Sequence, residues 1–365
     1  MHLFSCNGLK LNHSYTKPAF DMVLKNNKIF IWIAYTLLGF PLFYFAYKFG
    51  LPDFGGQDYR SYQLLYAHWD FAKVDCPFNM RLIGSFFIYL MNTMGFNYDT
   101  ETVFHLVHPK YDQQVYFNAV FFNFICVVIT CYVIYRTVLL ISKNELYSFF
   151  AGTIYLLGFG TLFFSLKPTS EACGILLAAW AFYYYIQQKR LVHLILFLSL
   201  FQREYMFIVF GIMAGMDFFF TRKRYYAEVL VSSVLFFVVY YILRKTLFFT
   251  PTWDFQTSPS SLIALIFDSE IEAVSFIKQT IFISNIFWIY VFVVAYKRLN
   301  KLEYDKHFLI TILIILIQVI LMSIITKFGN NAGRYFYYTS PIVIYYLFVE
   351  LMPLFSQHVN FKKHV

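Results

Sequence analysis

Charge is scarce in this chain. Asp, Glu, Lys and Arg make up 13% of its 365 residues, about half of what a soluble globular domain carries. With 59% hydrophobic residues and a mean hydropathy of +0.58, the chain cannot coat a water-facing surface. A soluble globular enzyme is therefore excluded. Cysteine is sparse too: Cys6, Cys76, Cys126, Cys131 and Cys173 have no metal-ligand spacing. Only Cys76 falls clearly in a polar loop, so no disulfide framework is expected. A glycine-rich phosphate loop leading into a helix is missing, which removes support for ATP-driven transport. A cleavable leader is not expected, because the first 28 residues are polar and basic and the first apolar run is of full length. Internal repeats, low-complexity tracts and a second soluble domain are also lacking.

What the chain has is aromatic residues and long apolar runs. Its 47 Phe and 31 Tyr lie inside those runs, so they read as core and interfacial belts rather than a surface for stacking nucleic-acid bases. A membrane span needs roughly 17–25 apolar residues. Runs at 29–47, 115–135, 146–166, 279–296 and 308–326 are clear candidates, and 172–186, 229–243 and 335–349 are shorter ones. Segments 82–98 and 191–220 are ambiguous, and loop charge resolves them. The tail carries Lys10, Lys17, Lys25 and Lys28, which places the N-terminus in the cytoplasm. Later basic loops, from Arg136 and Lys143 through Lys189-Arg190, Arg222-Lys223-Arg224 and Lys297-Arg298 to Lys362-Lys363, fall on the same side under two conditions. Segment 82–98 must not fully cross, and 191–220 must be a hairpin of two short helices. The net charge of +9 then reads as positive-inside loops.

The expectation is an all-α polytopic membrane protein, a single integral membrane domain over residues 1–365 with ten transmembrane helices. Residues 1–28 form a cytoplasmic tail, and the C-terminus is cytoplasmic as well. A long first external loop, 50–114, carries 82–98 as an interfacial or re-entrant helix. A second large external loop, 250–278, contains an amphipathic stretch at 262–276 that can lie on the membrane as a flap.

The chemistry-bearing candidates gather on the external side of this topology. Asp53 and Asp58 follow the first span, and Gly55-Gly56 lets the backbone turn tightly there. An acid so placed is a general base toward a hydroxyl, a metal ligand, or a plain solvated loop acid. Arg81, at the start of the 82–98 helix, sits on the unfavourable end of its dipole unless an anion compensates. Lys167 can reach a lipid phosphate or snorkel, and Glu171 reads as an acid in the first turn of a helix. Gln202-Arg203-Glu204 stand at the tip of the expected hairpin. There Arg203 offers a fork for phosphate oxygens, and Glu204 either orients it or holds an acceptor hydroxyl. An Arg–Glu pair that neutralises itself and pins helices is the other reading. Arg334 opens the last span next to Gly333, where an anion would gain from dipole and guanidinium together. Arg244-Lys245 read as snorkelling. Asp99, Glu101, His105 and His108 have no diagnostic metal spacing and read as a polar loop.

In order and spacing these features resemble the GT-C superfamily of membrane glycosyltransferases, most closely its bacterial multi-pass members. Their first loop reads roughly Gly-x-Asp-x-x-x-Tyr and then Pro-Phe-x-x-Arg-Leu. Here those positions are Gly56-Gln57-Asp58-Tyr59-Arg60-Ser61-Tyr62 and Pro77-Phe78-Asn79-Met80-Arg81-Leu82. The resemblance implies a donor sugar on a polyprenyl phosphate, transferred with inversion on the external face of a bacterial inner membrane to a glycan, lipid or protein acceptor. It implies Asp58 as the base, with Glu204 beside it, and Arg203, Arg334, Arg81, Lys167 and Tyr62 around the lipid phosphate. A divalent metal, Mg or Mn, is possible at Asp58, although the first loop holds no Asp-x-Asp pair. A Wzy- or EpsG-like polysaccharide polymerase, and a transporter or flippase of lipid-linked saccharide, are the alternatives. No nucleic-acid partner is expected.

Overall fold

A computed structural model describes residues 28–49, 56–74, 78–96, 112–248, 281, 285–302 and 337–361. Arg334, the 99–108 polar loop, the 262–276 flap and the 308–326 span lie outside these residues. Every element among the described residues is helical: α1 (Lys28–Phe49), α2 (Gly56–His68), α3 (Leu82–Thr93), α4 (Gln113–Ser142), α5 (Glu145–Leu156), α6 (Glu171–Ile186), α7 (Leu191–Ser199), α8 (Tyr205–Thr221), α9 (Arg224–Thr246), α10 (Asn285–Leu299) and α11 (Ser340–Phe361).

Three of these are long and apolar enough to cross a membrane: α1, α4 and α9. At about 1.5 Å per residue, their 22, 30 and 23 residues all exceed a hydrocarbon core of roughly 30 Å. Helices α3, α6, α8 and the first part of α11 are apolar but shorter. The outward faces fit this reading, for Leu37, Phe40, Val231, Leu235 and Phe292 are large, apolar and exposed. A membrane-embedded helical protein is what these helices describe.

Local sequence sets the helix ends. Asp112 caps α4 by accepting from the amides of Gln114 at 2.9 Å and Val115 at 3.2 Å, and Asn144 caps α5 through Tyr147 at 3.1 Å. Lys143 and Arg222 end α4 and α8 in the left-handed region, with φ of 51° and 56°. That conformation usually falls to glycine, but a cation at a helix C-terminus gains from the dipole.

The packing gives the direction of each helix. Trp32 stacks on Tyr132 at 4.7 Å, while Tyr116 donates to the Ala46 carbonyl at 3.2 Å. Helices α1 and α4 are therefore antiparallel. Segment 191–220 is broken into α7 and α8 by a turn at 200–204. Arg203 in that turn reaches Glu171 at the start of α6, and Asp217 near the end of α8 takes a hydrogen bond from Tyr185 near the end of α6. The pair α7–α8 is thus a hairpin with its tip beside the N-terminus of α6.

The 146–166 span is not one straight helix. It runs as α5, breaks at 157–158, and resumes as a π-turn over Thr161–Ser165. The break has a local cause in Gly158 and Gly160. A Cβ on Gly160 would overlap the ring of Tyr337, so the chain passes there only with glycine. The last helix extends beyond the expected 335–349, through Pro353 to Phe361.

Candidate functional site

The polar residues converge at one end of the bundle, where the N-termini of α4 and α6, the tip of the α7–α8 hairpin and the α2–α3 segment meet. Helix α3 enters this end on the hairpin. The amides of Leu82 and Ile83 both donate to the Phe201 carbonyl, at 2.8 and 3.2 Å, and the Gly84 amide donates to the Gln202 side chain at 3.0 Å. Three amides that a helix start leaves open are thereby satisfied by the turn that follows α7. The Gln202 side chain also donates to the Ser170 carbonyl at 2.7 Å, which ties the tip to α6.

Arg81 and Arg203 flank this junction and are nearly sealed from solvent, at 7% and 4% exposure. Arg81 donates to the Tyr62 hydroxyl, which lies 2.9 Å from the Ser170 hydroxyl. Its guanidinium also sits over the ring of Phe78 at 5.1 Å. The direct contacts of Arg81 at the start of α3 are thus a phenol and an aromatic face, and Glu204 is its charged neighbour. Arg203 pairs with Glu171. The same carboxylate oxygen accepts from Tyr338 at 3.3 Å, and the Arg203 guanidinium lies over the Tyr338 ring at 5.6 Å.

Glu171 corrects two expectations. It does more than occupy the first turn of α6, and Glu204, adjacent to Arg203 in sequence, is not the partner. Consecutive residues in a turn point apart, whereas Glu171 comes from a facing helix. Glu204 is half-buried, with Arg81, Arg203 and Arg244 as its charged neighbours. Lys167 does not snorkel to solvent. It is buried at 7% exposure, with its ammonium 4.9 and 5.6 Å from the ring centres of Phe163 and Phe164. The turn that carries it is held by Asn123 of α4, which donates to the carbonyls of Lys167 and, at 2.8 Å, Thr169.

Asp58 lies in the first turns of α2, four residues before Tyr62, but its side chain and that of Arg60 are outside the described residues, as is Arg334. Tyr62, Arg81, Lys167, Arg203 and Glu204 are therefore the site residues that the structure brings to one end. Among the described residues four cations, Lys167, Arg81, Arg203 and Arg244, stand against two carboxylates, Glu171 and Glu204, a net formal charge of +2. Three buried donors at this end, Arg81 Nε, Arg203 Nε and the Tyr205 hydroxyl, have no partner among the described residues. Buried donors of this kind are normally satisfied. Two guanidiniums with open Nε–H groups can bind an anion with several oxygens, such as a phosphate.

Among the described residues no three His, Cys, Asp or Glu side chains gather as a metal donor set. The side chain of Asp58, the position proposed for a divalent ion, lies outside those residues. Toward the surface, Lys73 hydrogen-bonds Asp70 at 2.7 Å. That bond holds the Asp70 carboxyl below its ordinary range and raises the Lys73 ammonium.

Sequence reasoning missed several buried polar residues. Lys297, read as part of a cytoplasmic basic loop, is 2.6 Å from Glu350 in a pair that is 3% and 1% exposed. Asp217 and Glu350 are lone acids in apolar runs, and that isolation was the available signal, because an acid in such a run needs a partner. A buried cluster of hydroxyls also escaped notice. Tyr337 lies 2.6 Å from the Thr161 hydroxyl and 3.0 Å from that of Ser165, both in the π-turn, a feature often found at functional sites. The chain matches no protein-family model, no curated protein and no solved structure.

Proposed function

We propose that the chain is an inverting glycosyltransferase of a bacterial inner membrane. In this reading it moves a sugar from a polyprenyl-phosphate donor to a glycan, lipid or protein acceptor on the external face. The observation that carries the proposal is the pair of buried guanidiniums, Arg81 and Arg203, joined through Tyr62, Ser170 and Gln202 and each with an Nε that has no partner among the described residues. A lipid-borne phosphate reaches such a site through the bilayer, so no soluble nucleotide-binding domain is needed. The proposal includes the full topology: ten spans, both termini cytoplasmic, and the polar end facing outward. The α7–α8 hairpin supports that count, since one continuous helix there would reverse the side of every later basic loop.

In the reaction, an acceptor oxygen forms a bond to the anomeric carbon while the bond from that carbon to the phosphate oxygen breaks. The electron pair leaves on the phosphate. Negative charge grows on that group as the bond opens, and fixed guanidiniums beside it stabilise the transition state more than the ground state. Arg81, Arg203 and Lys167 take this role, with Arg334 added from the start of the last span. Asp58 receives the acceptor proton, Glu204 holds the acceptor hydroxyl, and Tyr62 fixes the rotamer of Arg81.

The test uses the full chain in nanodiscs with a polyprenyl-phosphate analogue. Arg203→Lys keeps the charge opposite Glu171 but loses the fork, and Arg81→Gln removes a cation. Each should weaken analogue binding by about 10-fold or more, the scale of one lost charge-assisted hydrogen bond at roughly 1.5–3 kcal/mol. Asp58→Asn should leave binding intact and abolish sugar transfer. Unchanged affinity in both arginine variants would return the cluster to a structural role. Full turnover in Asp58→Asn would remove the base.

A further inference from the structure

The other end of α4 and α6 holds a second cationic feature that the transferase reading does not use. A cavity of about 210 Å³ opens there, lined by Tyr132, Arg136, Trp180, Tyr183, Tyr184 and Lys189. The Arg136 guanidinium has no carboxylate partner among the described residues. Its contacts are two phenols, Tyr132 at 3.2 Å and Tyr183 at 3.4 Å, and the face of Tyr132 at 6.0 Å. The neighbouring acid, Glu145, is taken by Tyr135. Lys189 is exposed at the rim and likewise has no ion pair among the described residues. The aromatic wall is rigid, because Trp32 stacks on Tyr132 and Trp180 stacks on Tyr184 at 5.7 Å.

We infer that this cavity is a binding site for the headgroup of an anionic phospholipid. Four observations point the same way. The cavity holds two cations and no carboxylate, so its ligand is an anion. Arg136 presents a fork held in place by the two phenols, which suits phosphate oxygens. At 210 Å³ the space is below the roughly 300–1,000 Å³ of pockets for drug-sized ligands, and it matches a phosphate with a small polar substituent. Finally, the cavity lies near the ends of two apolar helices with Trp and Tyr on its walls. Such residues collect at the boundary between hydrocarbon and water, where basic pockets between helices take acidic lipid headgroups.

This inference stands apart from the transferase reading, and its test involves no sugar. The full-length protein in detergent is examined by native mass spectrometry with phosphatidylglycerol, phosphatidylcholine and inorganic phosphate as probes. Thermal unfolding is followed in parallel. Wild type should retain phosphatidylglycerol at least 5-fold over phosphatidylcholine and gain several degrees of Tm from it. The double variant Arg136→Gln with Lys189→Gln should keep its Tm in phosphatidylcholine and lose both the preference and the gain. Should the double variant fail to fold, Lys189→Gln alone, at an exposed position, should lower the preference 2-fold or more. Equal retention in wild type and variants overturns the site. A Tm gain from inorganic phosphate matching that from the lipid overturns the lipid as the source.

Discussion

At one end of α4 and α6 the guanidinium of Arg203 is met by the carboxylate of Glu171, sealed from water. About 20 Å away, by the rise of some 13 residues, Arg136 meets the hydroxyls of Tyr132 and Tyr183 and the Tyr132 ring, with no carboxylate among the described residues, and is open to the cavity. The same residue type thus serves two physical situations on the same pair of helices. A buried guanidinium must carry its counter-charge within the protein, because the cost of an unpaired buried ion is several kcal/mol. A half-exposed one at the membrane boundary can leave its counter-charge to the surroundings. The first arrangement commits one edge of its guanidinium to an internal carboxylate before any ligand arrives, whereas the second commits none of its charge to the protein.

Substitutions break this contrast in order of size. Glu171→Ala strands Arg203 and should cost about 3–5 kcal/mol, read as unfolding in mixed micelles. Replacing both partners, Glu171→Leu with Arg203→Leu, should recover most of that loss. A cost under about 1 kcal/mol for Glu171→Ala would mean that Arg203 finds another acceptor and that the two ends do not differ. Gly174→Ala comes next. Its Cβ would stand 2.7 Å from Cγ of Arg203, an overpacking worth about 1–3 kcal/mol. It should also weaken polyprenyl-phosphate binding if Arg203 is displaced from its place. Tyr62→Phe removes the hydroxyl between Arg81 and Ser170 and should cost about 1–3 kcal/mol, visible as a lower Tm. Arg136→Gln in zwitterionic lipid should change stability by no more than about 0.5 kcal/mol. A larger loss there would mean that the fold depends on the charge of Arg136 as it does on that of Arg203.

The membrane class and the positions of most helices could be read from the chain because hydropathy and length are local properties. The hairpin at 191–220 could also be read, since the charge of the loops around it constrains the path. What could not be read was pairing. Glu171 and Arg203 lie 32 residues apart, and Lys297 and Glu350 lie 53 apart. Nothing in either neighbourhood names the other. The adjacency of Arg203 and Glu204 suggested a partner that the turn geometry denies. The break after α5 was hidden for a similar reason. Apolar composition continues through 157–165, and the ring that requires glycine at 160, that of Tyr337, comes from a distant part of the chain. Tyr62 and Arg81 could be picked out through the short first-loop motifs, although those motifs say nothing of the bond between the two side chains.

The seating of α3 on the hairpin tip has a consequence for biosynthesis. The Gly84 amide waits for Gln202, 118 residues later in the chain. At about 5–20 residues per second, translation takes roughly 6–24 s to supply that acceptor. Throughout this interval the first turn of α3 has no protein partner for its amides, and hydrocarbon would leave them unsatisfied. Water at the interface must serve them, so α3 remains at the membrane surface until the hairpin inserts and closes over it. A nascent chain halted before residue 200 is therefore expected to expose a cysteine placed at Ser85 to a water-soluble thiol reagent. One halted after α8 should protect it.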